Sequence, residues 1–200
     1  MKEFLLREWK EKYGFSEKLL KAFENVPREL FVREDDFGRA YGDYPLPIGY
    51  GQTISQPTTV MIMINALELK PTDKVLEIGA GSGYCAALMS KLAREVVSVE
   101  IITELVELAR SNLRKAGIKN VIVVEGDGSL GYGKKAPYDK VMVTAACPKI
   151  PKPLIEQLKP DGILVAPVGA YSQRMIRIKN GKKEDLGSFV FVPLRGKHGF

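Results

Sequence analysis

Val75-Leu76-Glu77-Ile78-Gly79-Ala80-Gly81-Ser82-Gly83-Tyr84 decides the fold. A short apolar run ends in a glycine cluster, and a helical pattern over 85–92 follows. This is the grammar of a buried parallel strand, a tight turn and a helix. Glycine lets backbone approach a ligand without a Cβ in the way, and the start of the helix offers unpaired N–H groups to polar ligand atoms. A second apolar run, Val96-Val97-Ser98-Val99, ends at Glu100. It lies about 20 residues after the first glycine, where an acidic side chain can accept from both hydroxyls of a ribose. Glycine turn and acidic strand end together read as a nucleoside-cofactor site.

The spacing chooses between two cofactors. A dinucleotide site wants G-x-G-x-x-G with a pyrophosphate at the helix N-terminus. Here the spacing is Gly79-x-Gly81-x-Gly83, preceded by Glu77. A carboxylate beside the turn repels a pyrophosphate and suits a cationic or zwitterionic ligand. S-adenosyl-L-methionine carries a sulfonium, an ammonium and a ribose, and no phosphate. The pattern E-x-G-x-G-x-G resembles the first motif of the Rossmann-like methyltransferases.

Composition narrows the field. With 200 residues, 45% of them hydrophobic, one α/β domain with a full core is expected. No apolar run is long enough to cross a bilayer, and Met1-Lys2-Glu3-Phe4 does not open a signal peptide; the cytoplasm is the expected location. Lys plus Arg is 30 against 24 for Asp plus Glu, a net charge of +6. The basic residues are scattered, which fits a solvated charge-rich surface better than a nucleic-acid footprint. Neither Cys85 nor Cys147 belongs to a C-x-x-C motif, and the single histidine, His198, lies near the end of the sequence. A disulfide, a metal site and a histidine-based triad are therefore not expected.

Along the chain, helical periodicity occupies 4–13 and 17–25, with a short turn near 26–32. Residues 41–57 are dense in Gly, Pro and Tyr, yet Leu46, Ile48 and Ile54 imply an ordered loop, and such loops are often functional. A helix over 58–67 precedes the first strand, and one over 102–116 ends at Gly117. Strand 121–125 leads to Gly126-Asp127-Gly128, where Asp127 can accept from an adenine amino group. Strand 140–144 ends in Thr144-Ala145-Ala146-Cys147-Pro148, a loop that faces the transferred group in this fold class. A short helix at 153–158, a strand at 162–168 and an antiparallel pair at 173–179 and 186–194 complete a doubly wound, mostly parallel sheet. The expected organisation is a single domain over 1–200, in which 1–57 form an N-terminal helical extension and active-site loop and 58–200 a Rossmann-like core.

Val26-Pro27-Arg28-Glu29-x-Phe31-Val32 and Tyr44-Pro45-Leu46-Pro47-Ile48-Gly49-Tyr50-Gly51-Gln52-Thr53-Ile54-Ser55-Gln56-Pro57 resemble the protein-L-isoaspartate O-methyltransferase family. So do the glycine motif, Gly126-Asp127-Gly128, Ala136-Pro137-Tyr138-Asp139, Pro153-Leu154-x-x-Gln157-Leu158-Lys159-Pro160, Pro167-Val168-Gly169 and Phe191-Val192-Pro193-Leu194. The glycine motif is shared by many methyltransferases; the G-Y-G-Q-T-I-S-Q-P loop is specific. The resemblance implies a class I methyltransferase fold and repair of damaged proteins. A methyl passes from S-adenosyl-L-methionine to the α-carboxylate of an L-isoaspartyl residue, leaving S-adenosyl-L-homocysteine. The ester then closes to a succinimide that reopens to aspartate. The resemblance puts Ser55 beside the acceptor carboxylate and makes Thr53 and Ile54 part of the loop closing over cofactor and substrate. Gly79, Gly81, Ser82 and Gly83 then line the methionine part with Glu77 nearby. Glu100 takes the ribose, Asp127 and Gly128 the adenine, and Thr144 and Gln173 complete the set. Damaged proteins are the implied partners, with no nucleic acid and no membrane.

The chemistry agrees. The acceptor carboxylate has a pKa near about 4 and is already anionic at neutral pH, so in-line methyl transfer needs no general base and can rest on alignment. A nucleic-acid methyltransferase on the same fold is the first rival. It would show an Asn/Asp-Pro-Pro-aromatic loop after the fourth strand or a Pro-Cys nucleophile; the chain has Cys147-Pro148 in the opposite order. A non-catalytic module on the same fold is the second rival, and the intact glycine turn with Ser55, Glu100 and Asp127 speaks against it.

Overall fold

The computed structural model describes residues 1–200. The apolar runs form β3 (Lys74–Ile78), β4 (Glu95–Glu100), β5 (Val121–Glu125), β6 (Tyr138–Val143) and β7 (Leu158–Val168). These strands pair in parallel, and β8 (Gln173–Lys179) and β9 (Lys182–Phe189) add an antiparallel edge. The order in the seven-stranded sheet is β5-β4-β3-β6-β7-β8-β9. From β3 the chain winds outward to β4 and β5 on one side and to β6 and β7 on the other. The strand order therefore reverses beside the carboxyl end of β3, the crevice in which ligands bind in open α/β sheets.

Both faces of the sheet are covered, so the strands are apolar at nearly every position. Val75, Val96, Met142 and Val165 face a core of 40 buried residues shared with α2 (Glu17–Asn25), α3 (Pro57–Ala66), α4 (Tyr84–Ser90) and α5 (Thr103–Lys115). Leu76, Ile78, Val141 and Leu164 face a smaller cluster of 13 with Leu154 of α6 (Lys152–Glu156). The N-terminal extension is joined to the larger core. The helix expected over 4–13 is α1 (Lys2–Glu8) followed by a wider π-helical turn, Trp9–Tyr13. That turn begins at Trp9, fully buried edge-on against Phe23 at 4.6 Å.

The strand expected at 162–168 begins four residues earlier, at Leu158, where the helix expected at 153–158 has already ended, and two further stretches differ from expectation. The ordered loop at 41–57 contains a small hairpin, β1 (Leu46–Gly49) and β2 (Gln52–Ile54), whose buried Leu46 and Ile54 pair across it. The last strand spans 182–189 instead of 186–194, because Asn180 and Gly181, at φ 51° and 71°, turn the chain directly after β8. Asn-Gly is the favoured sequence for a two-residue hairpin with both residues left-handed. The segment after β9 then leaves the sheet edge and crosses to the loop after β6, where Ala146 N donates to Val192 O at 2.8 Å and Leu194 N to Ala146 O at 2.7 Å. No helix is long and apolar enough to cross a membrane.

Candidate active site

At the end of β3 the chain turns at Gly79 with φ +95°, and the Thr144 hydroxyl stands where a Cβ would project. Any side chain there meets both a strained backbone and an occupied space. Thr144 Oγ1 lies 2.7 Å from Gly79 O and 2.9 Å from Ile78 O, and Thr144 N donates to Ile78 O. The turn after β3 and the loop after β6 are thus stitched together at the switch point.

Glu100 closes the site on the β4 side. It is only 6% exposed. Its Oε2 accepts from Gly81 N at 2.9 Å, and its Oε1 accepts from Ile101 N at 2.9 Å and Ile102 N at 3.1 Å. Charge-assisted bonds of this kind are the stronger class, and they fix the glycine turn to the approach of α5. Ser82 is buried, and its carbonyl accepts from Asn112 Nδ2 of α5 at 3.0 Å.

The β1–β2 hairpin brings residues 52–55 over this turn. Behind them Arg28 Nη2 donates to Ser55 O at 2.8 Å and Arg28 Nε to Ala40 O at 2.7 Å. Just after them Asp43 accepts from Thr58 N, Thr58 Oγ1 and Gln56 Nε2 at 2.8–2.9 Å. Trp9 Nε1 donates to the same Thr58 hydroxyl at 2.8 Å, tying the N-terminal extension to the loop. The result is an open-mouthed cleft between the hairpin, the glycine turn and the loop after β6.

Nine of the expected residues line the cleft: Thr53, Ile54, Ser55, Gly79, Gly81, Ser82, Glu100, Gly128 and Thr144. Four do not. Glu77 shares the strand parity of Val75 and so points into the large core, fully buried with Ser98 Oγ donating to its Oε2 and its Oε1 unpartnered. Burial pushes its carboxyl up to about 8, with the Ser98 hydrogen bond opposing and the Glu100 charge assisting. Gly83 begins α4, packed against Ala109 of α5. Asp127 holds the segment near the C-terminus: it accepts from Lys197 N at 2.8 Å and from Ser129 N and Oγ at 2.9 and 2.7 Å. Burial alone would raise its carboxyl, but these donors hold it below the usual carboxylate range. Gln173 is clamped to backbone, accepting from Phe191 N at 2.6 Å and donating to Phe191 O at 3.2 Å.

Other lining residues lie outside the expected set. Tyr84 and Cys85 face the cleft from the first turn of α4, and Val192, Pro193, Leu194 and Arg195 face it from the segment after β9. The first pair reads in sequence as ordinary helix start. The second group reads as a strand, and the Asn180-Gly181 turn is the signal that separates it from β9. Both cysteines are free and buried; burial raises the Cys85 thiol well above its ordinary value and pushes Cys147 up to about 11.

Comparison with known proteins agrees with this geometry. The model of the protein-L-isoaspartate(D-aspartate) O-methyltransferase family matches residues 1–199. An Archaeoglobus fulgidus protein named protein-L-isoaspartate O-methyltransferase 2 is 50% identical over 207 aligned positions, which span 100% of this chain and 94% of that one. A solved protein-L-isoaspartate O-methyltransferase superposes with a TM-score of 0.90 at 32% identity, covering 100% of this chain and 67% of the other. A Plasmodium falciparum structure in complex with S-adenosyl-L-homocysteine shares the fold, with a TM-score of 0.82 at 23% identity over 96% of this chain and 97% of the other. The match runs through the glycine turn and the 41–57 loop alike, and the chain belongs to the protein-L-isoaspartate(D-aspartate) O-methyltransferase family.

Proposed function

We propose that this chain moves a methyl group from S-adenosyl-L-methionine to the α-carboxylate of L-isoaspartyl residues in damaged proteins and peptides. The methyl ester then leads through a succinimide back to aspartate. The observation that carries this reading is that the 52–55 loop, the Gly79–Ser82 turn and Glu100 share one cleft. The donor set suits the cofactor: a carboxylate at a strand end for a ribose and a glycine turn that brings backbone close. Arg195 is the one basic residue of the lining.

In this reading Glu100 holds the ribose, and Gly79, Gly81 and Ser82 cradle the methionine part. Gly128 and Thr144 border the adenine and the transferred group. Asp127, held by Ser129 and Lys197, supports the adenine side from behind Gly128. Glu77, Gly83 and Gln173 support the site without facing it. When bound, the cofactor supplies an electrophilic methyl on sulfur. The chain's part is orientation: Ser55 Oγ donates to one acceptor oxygen, and the Thr53-Ile54-Ser55 loop lays the acceptor against the cofactor and excludes water. The acceptor is already ionised at neutral pH, so no side chain has to remove a proton. Cytoplasmic residence fits two free, buried thiols.

The test is a pair of peptides identical except for one isoaspartyl or aspartyl residue, incubated with labelled cofactor. An aspartyl carboxylate sits one carbon further from the main chain, and misplacement by about 1 Å can cost on the order of 100-fold in rate. Label is expected in the isoaspartyl peptide and almost none in its twin; equal labelling would overturn the substrate assignment.

A further inference from the structure

Arg28 opens a short turn, Arg28–Phe31, and its side chain is fully buried. Two of its nitrogens donate to the carbonyls of Ala40 and Ser55, and the third, Nη1, is buried with no partner. The guanidinium lies over the ring of Tyr84, 4.8 Å from the centroid, and Tyr84 lines the cleft. No carboxylate pairs with it directly: Glu29 accepts from Tyr41 OH at 2.6 Å, and Asp43, whose charge acts on Arg28 from a distance, accepts from Gln56 and Thr58. A buried cation with no ion pair is costly, and chains retain one only where something offsets it. The charge stands behind Ser55 and Tyr84, which line the cleft, on the side that receives an anion if Ser55 marks the acceptor position, the assignment on which this inference rests.

We propose that Arg28 is a positioning residue whose charge, met by no ion pair within the chain, serves the acceptor carboxylate: it grips the Ser55 carbonyl and gives the cleft a fixed positive charge that selects the anionic acceptor over neutral forms of the same residue. The reaction itself then reverses the attraction. An oxygen–carbon bond forms from a carboxylate lone pair, the sulfur–methyl bond breaks with its electron pair going to sulfur, and no proton moves. Anion and sulfonium become a neutral ester and a neutral thioether. The charge that draws the substrate in has no hold on the product, so the ester leaves more readily than the acid arrived. At an effective dielectric of about 20, a unit charge within about 10 Å of the acceptor changes a binding equilibrium by at least about tenfold.

The experiment measures binding to the full chain saturated with S-adenosyl-L-homocysteine, by calorimetry. The probes are an isoaspartyl hexapeptide and a twin whose isoaspartyl α-carboxylate is replaced by a carboxamide. Wild type should prefer the carboxylate. In Arg28→Met, which keeps the apolar stem, the carboxylate peptide should lose about tenfold more affinity than the carboxamide twin. Equal weakening of both would mean that Arg28 only supports the loop, and would overturn the proposal. Arg28→Lys keeps the charge but cannot hold both carbonyls in one plane; it should retain the preference while kcat falls. If Arg28→Met does not fold, Arg28→Lys decides: a folded variant with normal S-adenosyl-L-homocysteine affinity and no preference overturns the proposal. A wild type that shows no preference overturns the acceptor assignment of Ser55 and the proposal with it, whereas a wild-type preference left unchanged in Arg28→Met overturns the proposal alone.

Discussion

Glu77 shows what a single residue's neighbourhood does to its chemistry. In the sequence it precedes the glycine turn and reads as an anion facing the ligand. In the fold it lies on the core face of β3 with one hydrogen bond, from Ser98, and one unpartnered oxygen. Nothing in Val-Leu-Glu-Ile separates the two readings, because a strand buried on both faces has no alternation to show which way an odd polar residue points. Glu100 was legible because a strand end fixes its direction, independent of parity; Ser55 and Ser82 were legible only through the family resemblance of the loop and glycine motif. The consequence for Glu77 is a pH dependence. Its folded pKa, about 8, is raised above an ordinary 4.5. Below pH 4.5 the group is neutral in both states and its contribution is intact; as pH rises toward 8 the unfolded chain ionises first and stability is lost. Denaturation at a series of pH values should show wild type losing on the order of 2–4 kcal/mol across this window. Glu77→Gln, which cannot ionise, should lose markedly less, and parallel curves for the two proteins would sink the assignment.

At the scale of elements, the regular α/β units were legible throughout: apolar runs separated by Gly, Pro and Asp gave β3 to β7 and the helices between them to within a few residues. The hairpin inside 41–57 was not, because its strands are short and carry Pro47 and three glycines nearby, features that weaken any strand pattern. What holds that stretch is long-range and so invisible in local sequence. Asp43 accepts from the first N–H of α3, that of Thr58, and from the Thr58 hydroxyl and Gln56 Nε2, and Trp9 completes the network from the N-terminal extension. The network ends next to Ser55, so it joins stability to function. Removing a cap of this type costs about 1–2 kcal/mol. Asp43→Ala should therefore unfold at lower denaturant concentration by that amount. It should also turn over isoaspartyl peptide several-fold more slowly, with cofactor affinity near wild type. A destabilised variant with unchanged kcat would confine Asp43 to a structural role.

Across the whole molecule, the cleft is assembled from segments far apart in the chain: the loop at 52–55, the turn after β3, the end of β4, the loop after β6 and the segment at 192–195. The last of these is the least expected contributor. After β9 the chain crosses the carboxyl ends of the strands, pairs with Ala146 and then folds back, with Lys197 N on Asp127 at 2.8 Å, His198 N on Ser129 Oγ at 3.0 Å and Phe200 N on Leu194 O at 2.9 Å. These few bonds fasten the lid-like segment to the Asp127-Gly128 turn, on the side of the cleft that the proposed function assigns to the adenine. Removing residues 195–200 deletes the two contacts to Asp127 and Ser129, at about 0.5–1.5 kcal/mol each. In a chain of 200 residues each kcal/mol lowers Tm by roughly 2–4 °C, so the truncated protein should remain folded with a Tm only several degrees lower. Its affinity for S-adenosyl-L-homocysteine should fall by about tenfold, or about 1.4 kcal/mol, because the turn carrying Asp127 and Gly128 loses its outer support and the cleft loses Arg195 from its wall. Calorimetric titration of both proteins checks this directly. Tighter binding by the truncated chain would mean the reverse, that the Lys197 N–H competes with the ligand for Asp127.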